Sequence, residues 1–281
     1  MLSALSPPGT SRTLVMGVVN VTPDSFSDGG QWDTPQRAIA HGRQLHRDGA
    51  DIVDVGGEST RPGAARVTEA EEQARVIPVI EALAAAGVPV SVDTMRASVA
   101  QAAVAAGAVL VNDVSGGLAD PEMIPAVATM NVPYVISHWR AHSDVMDQRD
   151  LYRDVVREVC DELARQVEVF MSAGGNPDNL VLDPGLGFAK ASENNWPLLA
   201  HLDQLQNIGF PVLIGASRKR FLAAVIDPGS DVAPLDRDVA TAAVTTLCAQ
   251  RGVWAVRVHD VRGSVDAIRV VEAFQAARSD R

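Results

Sequence analysis

The 281-residue chain has only two cysteines, Cys160 and Cys248, far apart and without a CxxC pair or a histidine neighbour. That excludes a disulfide framework and leaves no zinc or redox pattern, so both read as reduced thiols. No apolar run reaches the ~18–20 residues of a membrane span. Residues 1–13 lack the apolar segment of a signal peptide, so a cytoplasmic protein with no membrane partner is expected. Basic residues are in deficit: 24 Lys and Arg stand against 35 Asp and Glu, for a formal net charge of -11. The arginines are scattered, which argues against nucleic acid as a partner. A Walker A segment and a complete GxGxxG between strand and helix are also missing, so ATP and dinucleotide sites are unsupported. Internal repeats, low-complexity tracts and a linker marking a second domain are absent as well.

What is present is an alternation. Short apolar, β-branched runs bounded by Gly, Pro or Asp occur near 14–20, 51–55, 89–93, 108–112, 132–137, 179–183, 211–215 and 253–258. Helical patterns separate them. The clearest spans Leu151 to Ala173, where Leu151, Val155, Val159, Leu163, Val167 and Phe170 recur at three- and four-residue steps before Gly174-Gly175. Thr34-Pro35 and Asp120-Pro121 place a capping side chain before a helix-starting proline. Thr68 and Glu71 have capping-box spacing, and Pro78 should kink the helix they begin. Buried strands alternating with amphipathic helices give a parallel sheet, and eight units can close into a single-domain α/β fold, the (β/α)8 TIM barrel. The predicted organisation is a flexible arm over residues 1–13 and one barrel over 14–281, with an open doubly wound sheet as the alternative.

A barrel places its chemistry at the C-terminal ends of its strands. Those ends carry Asn20, Asp54, Asp93, Asn112 with Asp113, His138, Asp183, the run Ser217-Arg218-Lys219-Arg220, and Arg257 with His259. Asp93, before Thr94, fits a helix N-cap as readily as a site residue. Asp183 precedes Pro184-Gly185-Leu186-Gly187-Phe188, whose glycines allow close backbone approach to a ligand. Arg257 and His259 lie on one face of an extended segment, with a helix expected to start near Ser264. Together they suit a pyrophosphate, with Asn20 able to offer an amide oxygen to Mg2+.

At these residues the sequence resembles the dihydropteroate synthases, from about Val15 to Val271. The segments are Met16 to Gly30 (MGVVNVTPDSFSDGG), Asp54 to Gly63 (DVGGESTRPG), Ser91 to Thr94, Asn112 to Gly117, Asp183 to Phe188, Gly215 to Lys219 and Arg257 to Val261. The resemblance implies an enzyme that joins 6-hydroxymethyl-7,8-dihydropterin pyrophosphate to p-aminobenzoate, with Mg2+ as cofactor, sulfonamides as competitors and a homodimer as the assembly. Asp183 would accept from the pterin's 2-amino-4-oxo edge, Asp93 and Asn112 would bind other ring nitrogens, and Lys219 would reach the ring carbonyl. Arg257, His259 and Asn20 with Mg2+ would hold the pyrophosphate. Thr60, Arg61, Pro62, Phe188 and Ser217 would border p-aminobenzoate, and mobile loops carrying Phe26, Asp28 and Arg61 would close over both. Asp93, Asp183, Lys219 and Arg257 would form the catalytic set for an SN1-like displacement. One departure is Ser137 before His138, where the family usually carries a larger apolar residue, often methionine, so looser pterin packing is expected there. Two alternatives share the pterin contacts: a methyltransferase domain serving a corrinoid protein, and a paralogue that binds pterin without turnover.

Overall fold

Strands that are apolar on both faces need cover on both, and a closed sheet ringed by helices supplies it. The computed structural model describes residues 2, 5, 12–22, 35–59, 66–140, 150–190, 192–230 and 232–279. Its elements run β1 (Leu14–Asn20), α1 (Pro35–Arg47), β2 (Ile52–Gly56), α2 (Glu69–Ala84), β3 (Val90–Asp93), α3 (Ala97–Ala105), β4 (Leu110–Asp113), α4 (Met123–Met130), β5 (Tyr134–Ser137) and α5 (Val155–Ser172). There follow β6 (Leu180–Asp183), α6 (Ser192–Ala200), α7 (Leu202–Gln206), β7 (Leu213–Ile214), α8 (Arg220–Ile226), α9 (Asp238–Gln250), β8 (Ala255–Val258) and α10 (Val261–Ser279). The strands form one parallel sheet in the order β6-β5-β4-β3-β2-β1-β8-β7. The remaining gap narrows where Leu182 pairs with Val212 and donates its N–H to the Pro211 carbonyl at 2.8 Å. The expected single-domain (β/α)8 barrel is the fold.

Two-residue periodicity sorts the side chains. Leu14, Met16, Ile52, Leu110, Val135, Val181, Leu213 and Ala255 form an inner cluster, while Val15, Val53, Val111, Ile136, Leu182, Ile214 and Val256 join the larger core under the helices. The same parity carried two residues further points Asp54, Asn112, Ser137, Asp183, Gly215 and Arg257 inward above the apolar plug. Asp93 joins them, because it lies in register with Gly56 of the inward set. At the other end of the barrel, Arg12 forks Asp51 at 2.9 and 2.7 Å, Thr13 donates to the Val253 carbonyl, and Leu2 and Leu5 pack against the inner cluster.

Several boundaries differ from expectation for identifiable reasons. The helix expected from Leu151 begins at Val155, because Asp154 caps it by accepting from the Arg157 N–H; Leu151 is 78% exposed and leaves the apolar stripe. α2 runs unbroken through Pro78, and Thr68 caps it through the Glu71 N–H. The Glu71 side chain pairs with Arg75. Asp120 accepts from Glu122 N–H at 3.0 Å and from Ala97 N–H at 2.8 Å, so it serves the start of α3 as well as the turn before α4. Thr34 lies outside the described residues. β7 is two residues long instead of five, and α10 starts at Val261, where Asp260 accepts from the Gly263 N–H.

Phe170 of α5 is buried and stacks on Tyr134 of β5 with ring centroids 5.7 Å apart. Phe170→Ala should lower the free energy of unfolding by about 3–5 kcal/mol, read by urea titration. A loss under about 1 kcal/mol would mean that this helix face contributes little to the core.

Candidate active site

The inward polar residues meet in the middle of the barrel mouth. Arg257 reaches from β8 to β2 and β3: its Nε donates to Asp54 Oδ2 at 2.6 Å and its Nη2 to Asp93 Oδ2 at 2.7 Å. Asn112 Nδ2 donates to the same Asp54 oxygen at 3.0 Å. That bond fixes the amide, leaving Asn112 Oδ1 as an acceptor toward the pocket. The N-cap reading of Asp93 fails: α3 starts at Ala97, and the carboxylate is committed to Arg257. Burial raises Asp93 above the usual carboxylate range against the pull of Arg257, with Asp54 adding to the rise. Burial also works against the Arg257 charge, and Asp54 and Asp93 more than offset it.

Across the mouth, Asp183 Oδ1 accepts from the Gly185 N–H at 2.7 Å. Gly215 lies between the groups: a Cβ there would sit 3.8 Å from Asp183 Oδ2, 3.9 Å from Lys219 Nζ and 4.0 Å from Arg257 Cβ. Asp183 and Arg257 therefore share one pocket. Lys219 Nζ donates to the Leu186 carbonyl and stands 4.6 Å from the centroid of the Phe188 ring. Burial draws Lys219 down to about 8, with Asp183 opposing, and burial raises Asp183 against the pull of Lys219.

Ser217 and His259 form a second pair. The His259 N–H donates to Ser217 Oγ at 3.1 Å, and that oxygen lies 2.9 Å from His259 Nδ1. A hydroxyl that accepts from the backbone can give its own proton to Nδ1, the arrangement that puts the imidazole proton on Nε2. Between them Arg218 turns away: it adopts φ +58° and forks Asp238 at 2.7 and 2.8 Å. The run 217–220 is thus neither a solvated basic turn nor wholly a site. Asn20 ends β1 in register with Gly56, on the inward parity of Leu14 and Met16.

Not every strand-end residue faces the pocket. Asp113 has outward parity and accepts from Ser115 N–H, Ser115 Oγ, Gly117 N–H and Tyr134 Oη, all at 2.6–2.8 Å, which makes it a fold residue. Ser137 is buried in register with Asp183. Thr60, Arg61, Pro62, Phe26 and Asp28 lie outside the described residues. Glu58 and Arg66, flanking 60–65, pair at 3.0 Å, and Glu58 also holds Arg96 at 2.6 Å. Sequence reasoning missed Asp54 as the central anion, since nothing in the chain announces a partner 203 positions away. It also missed Lys190, buried behind the glycine loop and drawn by burial down to about 7. A lysine closing a Gly-rich run was the available signal.

The mouth of this barrel joins carboxylates, an amide and buried cations, and residues 16–259 match the family model for "Pterin binding enzyme", which places the chain in that class. A dihydropteroate synthase of Mycobacterium leprae is 52% identical over 264 residues, covering 92% of this chain and 93% of the relative. The solved Xanthomonas albilineans dihydropteroate synthase with 4-aminobenzoic acid is 47% identical, superposes with a TM-score of 0.87 and covers 94% of each chain. The same enzyme in complex with 7,8-dihydropteroate is 45% identical, with a TM-score of 0.84 and 95% of each chain covered. This chain belongs to the dihydropteroate synthase family, transferases of folate biosynthesis.

Removing Arg257 would leave Asp54 and Asp93 buried without their cation. Arg257→Met should destabilise the fold by about 3–5 kcal/mol in guanidinium titration. A loss under about 1 kcal/mol would show that the two carboxylates are satisfied without it.

Proposed function

We propose that this chain condenses 6-hydroxymethyl-7,8-dihydropterin pyrophosphate with p-aminobenzoate to give 7,8-dihydropteroate and pyrophosphate. The observation that carries it is the convergence of Asp183, Lys219 and Arg257 around Gly215. Asp183 Oδ2 accepts from the 2-amino-4-oxo edge, Asn112 Oδ1 takes a ring N–H, and Lys219 donates to the ring carbonyl. Arg257 keeps its Nη1 protons for the pyrophosphate, helped by His259 Nε2–H. Ser217 and Phe188, with Thr60, Arg61 and Pro62, border p-aminobenzoate, and the loops of Phe26 and Asp28 close over it.

The methylene C–O bond breaks first, and its electron pair leaves with the pyrophosphate. The ring delocalises the cation, which the Asp93 and Asp183 carboxylates stabilise. The neutral arylamine then forms the C–N bond and loses a proton, so no protein nucleophile is needed. Asn20, at the inward end of β1, would offer an amide oxygen to a Mg2+ whose other ligands are pyrophosphate oxygens and waters. When bound, the ion would neutralise charge on the leaving group.

A homodimer is supported by exposed Val239 and Leu247 on α9 and exposed Val270 and Phe274 on the neighbouring α10. A cytoplasmic setting agrees with the free thiols of Cys160 and Cys248. Among the described residues, no helix is long and apolar enough to cross a membrane.

The test is Mg2+-dependent formation of dihydropteroate and pyrophosphate from the two purified substrates, with Asp183→Ala as control and sulfonamide competing against p-aminobenzoate. Asp93→Asn should slow turnover about a hundredfold. Unchanged turnover in that variant would remove Asp93 from the chemistry. A protein that binds pterin and releases no pyrophosphate would be the non-catalytic paralogue.

The pH profile gives a separate check. A cation carries its charge below its pKa, so kcat/KM for the pterin substrate should fall as pH rises through about 8, where Lys219 loses its proton. Lys219→Arg keeps the charge and should flatten that limb while turning over more slowly. A limb unchanged in Lys219→Arg would assign it to another group.

A further inference from the structure

Lys190 is a buried cation that the reaction above does not use. Lys190 closes the loop that follows β6, is 6% exposed, and its Nζ donates to the carbonyls of Gly185 and Phe188, each at 3.0 Å. The same Nζ lies 2.9 Å from His138 Nδ1. Three ammonium protons thus meet three acceptors. With Nδ1 accepting, neutral His138 carries its proton on Nε2, which donates to Glu162 Oε2 at 2.9 Å. Burial, with Lys190 next in weight, lowers His138 to about 4, in keeping with a neutral ring. Arg140 completes the line by pairing with Glu162 at 2.6 Å.

The loop held by this line contains one strained residue, Ala189. Gly185, Gly187 and Ala189 have φ of +66°, +74° and +47°. A left-handed Ala costs roughly 1–2 kcal/mol and persists only where its surroundings enforce it. Gly185 is pressed so closely on the residue that follows β5 that a Cβ would meet the His138 carbonyl oxygen at 2.2 Å. Asn195 of α6 fastens the other side, accepting from the Gly187 N–H at 2.7 Å and donating to the Lys190 carbonyl at 3.3 Å. Held in this way, the Gly185 N–H meets Asp183 Oδ1, and the opposite carboxylate oxygen faces Lys219 and Gly215.

We propose that Lys190 is a positioning residue for the transfer reaction: by grasping the Gly185 and Phe188 carbonyls, it aims the Asp183 carboxylate and sets the Phe188 ring before substrate arrives. It touches no substrate and acts through the loop. The inference rests on the reading of Asp183 as the pterin-binding carboxylate.

Titration calorimetry with the pterin pyrophosphate on wild type, Lys190→Met and Lys190→Gln tests it. The Met variant should bind roughly tenfold more weakly or worse. The Gln variant, whose amide can donate to both carbonyls, should recover part of that loss, as a lysine that merely filled space would not predict. A folded Met variant that binds as wild type does, or a Gln variant no better than Met, overturns the proposal. Wild type that fails to bind pterin sinks the functional reading instead. Should the variants not fold, hydrogen exchange on ligand-free wild type decides: the amides of residues 185–190 should be protected on the order of 100-fold, and free exchange there overturns the brace.

Discussion

The site depends on a charge arrangement that water would never favour: one guanidinium shared by two buried carboxylates. Arg257 crosses from β8 over β1 to Asp54 and Asp93, so a single side chain ties three strands together at the centre of the mouth. With Asp183 and Lys219 added, three carboxylates face two cations, and burial raises Asp93 and Asp183 alike. Among these five side chains the acids outnumber the bases by one. In the proposed displacement, a cation developing on the bound ring would offset that excess and turn a static imbalance into transition-state stabilisation.

How much of this the sequence displayed follows from the length scale of each interaction. Strand positions were readable because burial on both faces leaves a local apolar run, and β1 matches its expected span from Leu14 to Asn20. Asn112 and Asp113 both stand at the end of β4, yet period two sends one into the pocket and the other into the helix layer. Alternation counted from Leu110 would have separated them. The Arg257–Asp54 bond, by contrast, joins residues 203 positions apart and leaves no local trace. Leu151 erred the other way: its spacing fits the stripe, but the cap at Asp154 ends the helix first.

Support for the site is graded outward. Next to the carboxylate and cation pocket stand residues bonded to its flanking chain: Arg218 clamped to Asp238 beside Ser217 and Lys219, and Lys190 on the Gly185 and Phe188 carbonyls behind Asp183. Beyond these lie surface pairs such as Arg140 with Glu158. Resemblance to the dihydropteroate synthases identifies the innermost ring. The outer supports emerge only from distances, because they act on backbone carbonyls and torsions.

The short β7 has a consequence for the barrel as a whole. Between β6 and β7 the sheet is joined by little more than the Leu182 bridge and its N–H bond to Pro211, the thinnest join in the ring. Asp183 ends one side of that seam, and Lys219 follows the other. A flat heterocycle gripped by both residues, as proposed, would be a rivet across the join, and occupancy would complete a hoop that the backbone alone leaves almost open.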